Sequence, residues 1–303
     1  MRTAYLGTSD FAATVLRRLA DSPHRPALAV TPPDRRRGRG RQELPPAAAA
    51  AAGELEIELL QAENVNEAEP LERIRSARPE AVVVCAFGQL IKEPLLSLTE
   101  FLNVHPSLLP RWRGAAPIER AIMARDPKTG VCVMRLTAGL DSGPVALRAE
   151  VDLGEDEDYG TLAPRLAALG GDLLVEALDL LVAGTLAFTE QDEDAVTYAE
   201  KITGEERRLD PAQPAADLAA RVRALTPHIG AYLELAGGER LGVRRASSSA
   251  ATPLRAAEVA TDDDALIVGT GDGSLRLEVV QPAGGKAMSV ADYLRGRPVP
   301  TLA

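Results

Sequence analysis

The sequence predicts an α/β protein, with an open, doubly wound sheet followed by a smaller domain made mostly of β-strands. Strand-like and helix-like segments alternate through the first part of the chain, which is typical of a mostly parallel sheet covered on both faces by helices. Short strand-like segments separated by glycine, proline and aspartate turns follow, as in a small barrel or sandwich. At 303 residues the chain is long for one domain. We therefore expect domains at 1–188 and 207–303, joined by a linker at 189–206.

The first domain opens with a predicted strand at 4–6 that ends at Gly7. Ser9 or Asp10 can then cap a helix, because the apolar residues at 11, 15, 16 and 19 share one helical face. The run from Ala81 to Ala86 is continuously apolar, which predicts a central parallel strand covered on both faces. Further strands are predicted at 28–30, 55–60, 101–104 and 131–136, and further helices at 47–52, 71–77, 117–124 and 161–181.

The second domain is predicted to contain one helix at 214–225 and strands at 232–235, 239–244, 265–268 and 274–280. The glycine-rich segment from Gly269 to Gly273 joins two strand-like segments and opens no helix, so we interpret it as a hairpin turn. The loop at 7–10 lacks the second and third glycines of a dinucleotide-binding fingerprint, and no Walker A sequence occurs. ATP or NAD chemistry is therefore not expected.

The chain is acidic, with a net charge of −10 and a pI near 5.0, whereas proteins that grip nucleic acid over a wide surface are usually basic. One stretch differs, since the segment TPPDRRRGRGRQELPP at 31–46 is strongly basic. Its five arginines are Arg35, Arg36, Arg37, Arg39 and Arg41. Arginine suits bidentate phosphate recognition and glycine lets a backbone approach closely, so the segment favours a focused RNA contact. A solvated flexible loop is the alternative.

Composition also indicates the compartment. The longest apolar run, at 81–87, is far too short to cross a bilayer, and residues 1–11 have no signal-peptide anatomy. Cys85 and Cys132 lie in apolar runs without a C-x-x-C pair, which favours reduced core thiols. The three histidines are scattered along the sequence, so no metal site is expected. These observations predict a cytoplasmic protein.

The segment NVHPSLLPRWRGAAPI at 103–118 contains the strongest chemical signal. Asn103 and His105 alternate at the end of a predicted strand, so their side chains point to the same face. Ligands bind beyond the carboxyl ends of strands in such sheets. An amide beside an imidazole can stabilise the oxyanion of acyl transfer, and Asp141, in a glycine-flanked loop, can orient His105 or take a proton. A purely structural histidine is the alternative, which the neighbouring amide and carboxylate disfavour.

Seven motifs occur in an order that resembles the methionyl-tRNA formyltransferase family over essentially the whole chain. They are LGTSDFA, PDRRRGRG, AFGQLI, NVHPSLLPRWRGAAPI, GLDSG, TYAEKI and QPAGGKAMS. The central block is shared with other enzymes that use 10-formyltetrahydrofolate. The basic loop and the QPAGGKAM element point to the tRNA enzymes in particular. Two departures are Ser9, where the family usually has proline, and Thr226-Pro227-His228-Ile229, where it usually has an Asn-Pro-Trp-Pro-like turn.

The resemblance implies a Rossmann-like formyltransferase domain followed by an OB-like β-barrel domain that helps to hold tRNA. It implies that Asn103, His105 and Asp141 are catalytic, and that formyl passes directly from 10-formyltetrahydrofolate to methionyl initiator tRNA without a metal. The expected folate-binding residues are Ser107, Leu108, Leu109, Pro110, Phe87, Gly88, Gln89 and Leu90. The five arginines of the 31–46 segment are expected to bind the tRNA, and a monomer is expected.

Two other functions remain open at this point. A formyltransferase that acts on a nucleotide sugar or a purine precursor would share the Asn, His and Asp residues but would need neither the arginine segment nor a C-terminal barrel. A non-catalytic RNA-binding protein would explain the arginines and the barrel but not the three polar residues. Formyl transfer to charged tRNA, compared with transfer to an amino sugar, distinguishes them.

Overall fold

The chain forms two compact units. The structure is a computed structural model and describes residues 1–37, 42–249 and 254–303. The first unit comprises 1–114, 128–151 and 163–198, and the second comprises 115–127, 152–162 and 199–303. Each unit is therefore built from three stretches of chain. The linker expected at 189–206 would instead divide the chain at a single place along its sequence. This domain boundary stays a prediction.

The helices and strands follow the predicted order closely. The helices are α1 Asp10–Ala20, α2 Ala47–Glu54, α3 Ala68–Ser76, α4 Pro117–Met123, α5 Tyr159–Val182, α6 Ala215–Leu225 and α7 Val290–Gly296. The strands up to residue 200 are β1 Thr3–Gly7, β2 Pro26–Thr31, β3 Arg35–Arg37, β4 Gln42–Leu44, β5 Glu58–Gln61, β6 Ala81–Cys85, β7 Glu100–His105, β8 Arg113–Gly114, β9 Lys128–Arg135, β10 Val145–Asp152 and β11 Tyr198–Ala199. Those that follow are β12 Ala231–Glu234, β13 Arg240–Ser249, β14 Val259–Asp262, β15 Ala265–Gly269, β16 Ser274–Gln281 and β17 Met288–Ser289.

The first unit contains the predicted open sheet. Among the described residues its seven strands lie in the order β10-β9-β7-β6-β1-β2-β5. The apolar strand β6 is completely buried between β1 and β7, and both pairings are parallel. The strand β9 runs antiparallel to β7, so the sheet is mixed at this side. At the start of α1 the hydroxyl of Ser9 accepts a hydrogen bond from the backbone N–H of Ala12, which confirms the predicted cap.

The second unit contains short antiparallel strands, but the predicted barrel is not closed within the described residues. Its sheet runs β12-β13-β16-β15-β14, with β17 beside β16. Within the described part of the chain, two isolated bridges lie at the outer edge of β12, one from Arg208 to Tyr232 and one from Leu302 to Leu235, which follows β12. Irregular segments thus protect this edge where a barrel would place a strand. Gly269 pairs with Ser274 across a tight connection between β15 and β16, which confirms the hairpin interpretation.

His228 lies in the turn at 226–229 and has specific partners within the second unit. Its ring stacks on Tyr159 with the ring centroids 3.7 Å apart. Its Nε2 atom lies 2.9 Å from Oε1 of Glu119. The imidazole therefore anchors the turn by combining stacking with a polar contact.

Within residues 1–37, 42–249 and 254–303, no helix combines the length and apolar character needed to cross a bilayer.

Candidate active site

Strand β7 supplies two polar residues to the sheet. Asn103 pairs with Val84 of β6 and with Met134 of β9, and His105 pairs with Cys132 of β9. The side chains are buried, with 7% of Asn103 and 4% of His105 exposed. Because β7 lies between two paired strands, its backbone is rigid and both side chains project from the same face.

Asp141 lies in the loop between β9 and β10, and its carboxylate lies between the two β7 residues. Its Oδ1 is 3.5 Å from Nδ2 of Asn103, and its Oδ2 is 3.6 Å from Nδ1 of His105. The backbone N–H of Gly114 donates to Oδ2 at 2.9 Å. The structure thus brings together the three residues predicted to be catalytic. Asn103 Nδ2 has two hydrogens, and the contact with Asp141 uses at most one, so the other can bind a substrate oxygen.

The ring of His105 has a defined tautomer. Nε2 lies 2.9 Å from the backbone carbonyl oxygen of Trp112, and this oxygen only accepts, so Nε2 must carry the hydrogen. Nδ1 then faces the carboxylate of Asp141. A nitrogen lone pair and a carboxylate oxygen repel each other unless a proton lies between them. At 3.6 Å this contact is longer than a hydrogen bond, and a slightly closer approach would let a proton pass between His105 and Asp141.

The turn after β7 places the Trp112 carbonyl. The hydroxyl of Ser107 donates to the carbonyl oxygen of Arg111 at 2.7 Å, and the hydroxyl of Thr197 accepts from the Trp112 N–H at 2.9 Å. Trp112 itself has a φ of 65°, which is unusual for a residue with a side chain. One hydrogen bond within the turn and one with Thr197 therefore hold the turn in place. They fix the Trp112 carbonyl group against His105.

The predicted folate-binding residues differ in accessibility. Phe87 is 3% exposed and packs in the core cluster, whereas Leu90 is 64% exposed. The side chain of Gln89 is bound to the backbone, accepting from Val65 N–H and donating to the Ala62 carbonyl. In the turn, Ser107 and Leu109 are buried, and Leu108 and Pro110 are half-buried. Both segments follow the carboxyl ends of neighbouring parallel strands, the expected place for a ligand.

Gln191 binds the backbone carbonyl of Asp141, and Arg113 and Glu193 extend this network, which has no signal in the sequence. The buried Arg113 donates from Nε to Oε1 of Gln191 at 3.0 Å, and its terminal nitrogens donate to Glu193. The Arg113 hydrogen bonds lower the pKa of the Glu193 carboxyl. Gln191 and Glu193 occur in a segment that has the composition of an acidic linker, so only the fold shows their connection to the site.

Cys132, which pairs with His105, is not a nucleophile. Burial raises the pKa of its thiol to about 11. Because the thiolate is the reactive form of cysteine, this side chain is inert at neutral pH. The chemistry of the site therefore depends on the amide, the imidazole and the carboxylate.

The predicted arginine loop is partly a β-hairpin. β3 pairs with β4, and Arg36 lies opposite Glu43. The side chains of Arg35 and Arg36 are exposed, and Arg35 lies 3.7 Å from Glu63. Arg39, Arg41 and the side chain of Arg37 lie outside the described residues.

Comparison with known proteins identifies the family. A formyl transferase model matches residues 1–178, and a model of the formyl transferase C-terminal domain matches residues 201–298. The methionyl-tRNA formyltransferase of Halorhodospira halophila is 43% identical over 300 residues, which cover 98% of this chain and 96% of that protein. That of Pseudomonas paraeruginosa is 40% identical over 299 residues, with the same shares covered. The chain belongs to the methionyl-tRNA formyltransferase family.

A solved structure agrees with the fold of this family member. HypX from Aquifex aeolicus, crystallised with tetrahydrofolic acid, superposes with a TM-score of 0.66 and 18% sequence identity. The match covers 100% of this formyltransferase chain and 51% of HypX, so the chain spans about half of that longer protein. At this identity the likeness concerns the fold alone.

Proposed function

We propose that the protein transfers the formyl group of 10-formyltetrahydrofolate to the α-amino group of methionyl initiator tRNA, giving N-formylmethionyl-tRNA for translation initiation. The observation that carries the proposal is the convergence of Asn103, His105 and Asp141 in a chain 43% identical to a methionyl-tRNA formyltransferase. Direct transfer between two bound substrates needs donors for an oxyanion and a place for a proton, and these side chains provide both.

The residues present fit a formyl donor. When bound, the formyl-folate supplies an electrophilic carbon. The amine attacks this carbon, and the charge that develops on the formyl oxygen requires a hydrogen-bond donor. We assign that role to the free amide hydrogen of Asn103. The protein groups around this atom are already oriented by the sheet, so little reorganisation is needed when charge develops.

We assign the proton transfers of the reaction to His105 and Asp141. The attacking amine loses a proton as the new C–N bond forms, and N10 of the folate needs a proton as the old C–N bond breaks. The Nε2–H of His105 is bound to Trp112, so exchange takes place on the Nδ1 side, which faces Asp141. The pair accepts a proton from the attacking amine and donates one to N10, passing it between Nδ1 of His105 and the carboxylate of Asp141. The formyl transfer therefore neither consumes nor releases a proton overall.

The folate contacts are proposed to come from the two segments at the strand ends. The exposed Gly88 and Leu90 and the half-buried Leu108 and Pro110 can contact a ligand directly. Phe87, Gln89, Ser107 and Leu109 are buried or bound to the backbone, so we propose that they shape the pocket wall. A cytoplasmic location fits the two free cysteines, and a monomeric state stays a prediction.

The function is tested by offering the purified protein 10-formyltetrahydrofolate with one of four acceptors. These are methionyl initiator tRNA, methionyl elongator tRNA, a nucleotide amino sugar and an aminoribonucleotide purine precursor. We expect formylation of the initiator tRNA only. Formylation of the sugar or the purine precursor in place of the tRNA would overturn the proposal. Tight tRNA binding without transfer would instead favour a non-catalytic RNA-binding protein.

The arginine hairpin gives a second test, because phosphate contacts release counterions and steepen the dependence of binding on salt. Replacing Arg35 and Arg36 with glutamine should lower kcat/KM for the tRNA and reduce the slope of log kcat/KM against log salt by about 1 to 2. The KM for the folate should stay unchanged. Arg73 and Arg75 of α3 are also exposed and ion-paired with glutamates, and their double glutamine variant is the control. An unchanged salt slope in the Arg35 and Arg36 variant would mean that these two residues do not bind the tRNA.

A further inference from the structure

Asp141 has a backbone conformation that needs support. Its φ is 46°, in the left-handed region that residues with a side chain rarely adopt. The carboxylate lies between Asn103 and His105 only in this conformation of the loop, because the backbone sets the direction of the side chain. Whatever holds the loop backbone therefore also holds the carboxylate.

Gln191 is bound directly to that backbone. Its Nε2 donates to the carbonyl oxygens of Asp141 at 2.8 Å and of Gly143 at 2.7 Å. Both amide hydrogens are thus used on two carbonyl groups that flank Ser142. Carbonyl oxygens only accept hydrogen bonds, so the orientation of the Gln191 amide is fixed. The Gln191 side chain, 50 residues further along the chain, therefore holds the backbone of the Asp141 loop on both sides of Ser142.

Arg113 fixes Gln191 in turn. The Nε–H of Arg113 donates to Oε1 of Gln191 at 3.0 Å, and only 2% of Arg113 is exposed. The two terminal nitrogens of Arg113 donate to Glu193, at 2.8 Å and 3.3 Å. A buried guanidinium with a planar, bidentate partner has little freedom to move. Arg113, which is held by Glu193, therefore fixes the orientation of the Gln191 side-chain amide.

The same segment also reaches the carboxylate itself. Gly114, next to Arg113, donates its backbone N–H to Oδ2 of Asp141 at 2.9 Å. Arg113 and Gly114 thus hold both the backbone and the side chain of Asp141. The side chain of Arg113 acts through Gln191 on the backbone carbonyl, and the backbone of Gly114 acts directly on the carboxylate.

We propose that Gln191 is a positioning residue that keeps the carboxylate of Asp141 between Asn103 and His105, with Arg113 and Glu193 keeping Gln191 oriented. The inference rests on the proposed function for its kinetic consequence. Loss of the Gln191 amide lets the loop move, so that His105 loses the partner with which it exchanges a proton. Misplacement of a catalytic group by about 1 Å costs on the order of 10²-fold in rate.

The kinetic test is Gln191→Glu, an isosteric change. A carboxylate at this position still accepts from Arg113 but repels the carbonyl oxygens of Asp141 and Gly143. We expect kcat to fall on the order of 10²-fold, with KM for both substrates changed by less than about threefold. Gln213→Glu is the control, because the Oε1 of Gln213 is buried without a hydrogen-bond partner among the described residues, and its new charge should lower Tm without lowering kcat.

A second readout does not depend on activity. The chain has three histidines, so ¹⁵N-histidine labelling gives three imidazole signals, and the His105→Gln variant identifies that of His105. In Gln191→Glu we expect the His105 signals to shift, while those of His24 and His228 stay in place. A loss of kcat with unmoved His105 signals would reduce Gln191 to a structural role, and unchanged kcat would overturn the proposal. If the wild type fails to formylate tRNA but the His105 signals shift, the positioning stands and the proposed function fails.

Discussion

Replacing His105 and Asp141 together with alanine is expected to slow formyl transfer about as much as the worse of the two single replacements, on the order of 10³- to 10⁴-fold. The two side chains face each other at 3.6 Å, and in the proposed mechanism they pass one proton between them. Once either is lost, the other has no partner for the exchange, so the second loss adds little. The measurement is kcat at saturating concentrations of both substrates for the wild type, the two single variants and the double variant.

The chain offers a matched control for this experiment. His24 is a second buried histidine, and its Nε2 lies 2.8 Å from Oδ1 of Asp179. Alanine at His24 and Asp179 should lower Tm, because a packed, bonded pair is lost, but should leave kcat unchanged. Strictly additive losses at His105 and Asp141 would contradict the proposed proton exchange, since they would mean that the residues act independently.

The second large effect is expected at Asn103. Asn103→Ala removes the amide hydrogen assigned to the formyl oxygen, and transfer should slow by roughly 10²- to 10³-fold, as for other oxyanion donors. Asn103→Asp should be slower still. It removes the donor and also places a second carboxylate opposite Oδ1 of Asp141, from which the amide nitrogen is now 3.5 Å distant. The loss should appear in kcat, because the contact strengthens only as charge develops.

The order of these two variants is the diagnostic result. If Asn103 merely filled space, the isosteric aspartate would be the milder change and alanine the more damaging one. Near-normal kcat in Asn103→Ala would remove this residue from the chemistry. Folate affinity, measured separately by equilibrium binding, should be close to that of the wild type in Asn103→Ala.

Much of the sheet and the centre of the site could be predicted because their signals are local. The run 81–86 is continuously apolar, and β6 lies buried between two parallel neighbours. The two-residue spacing of Asn103 and His105 is enough to place them on one face of a strand. A glycine-flanked loop after the next long strand predicted where Asp141 would lie. Each inference used only short-range geometry.

The supporting groups could not be predicted, for two physical reasons. The Gly114 N–H and the Trp112 carbonyl act through the backbone, and backbone groups have no signature in a sequence. Gln191 and Glu193 do have distinctive side chains, but their contacts depend on how the chain returns from α5 to the loop after β9. Their local composition resembles an acidic linker. The β3–β4 hairpin within the arginine segment was hidden for a similar reason, since three arginines give no strand pattern.

The interleaving of the two units affects how the protein is made. Helix α4 belongs to the second unit, where it packs against α6, and Met123 contacts that unit's apolar cluster, which also includes Leu302. At roughly 5–20 residues per second on the ribosome, about 5 to 20 seconds separate the synthesis of Met123 from that of Leu225 at the end of α6. During this interval the apolar face of α4 has no α6 to pack against and is available to chaperones or to aggregation. A chain cut at residue 188 would be left permanently in that state, so the second unit becomes a folding unit only when synthesis is almost complete.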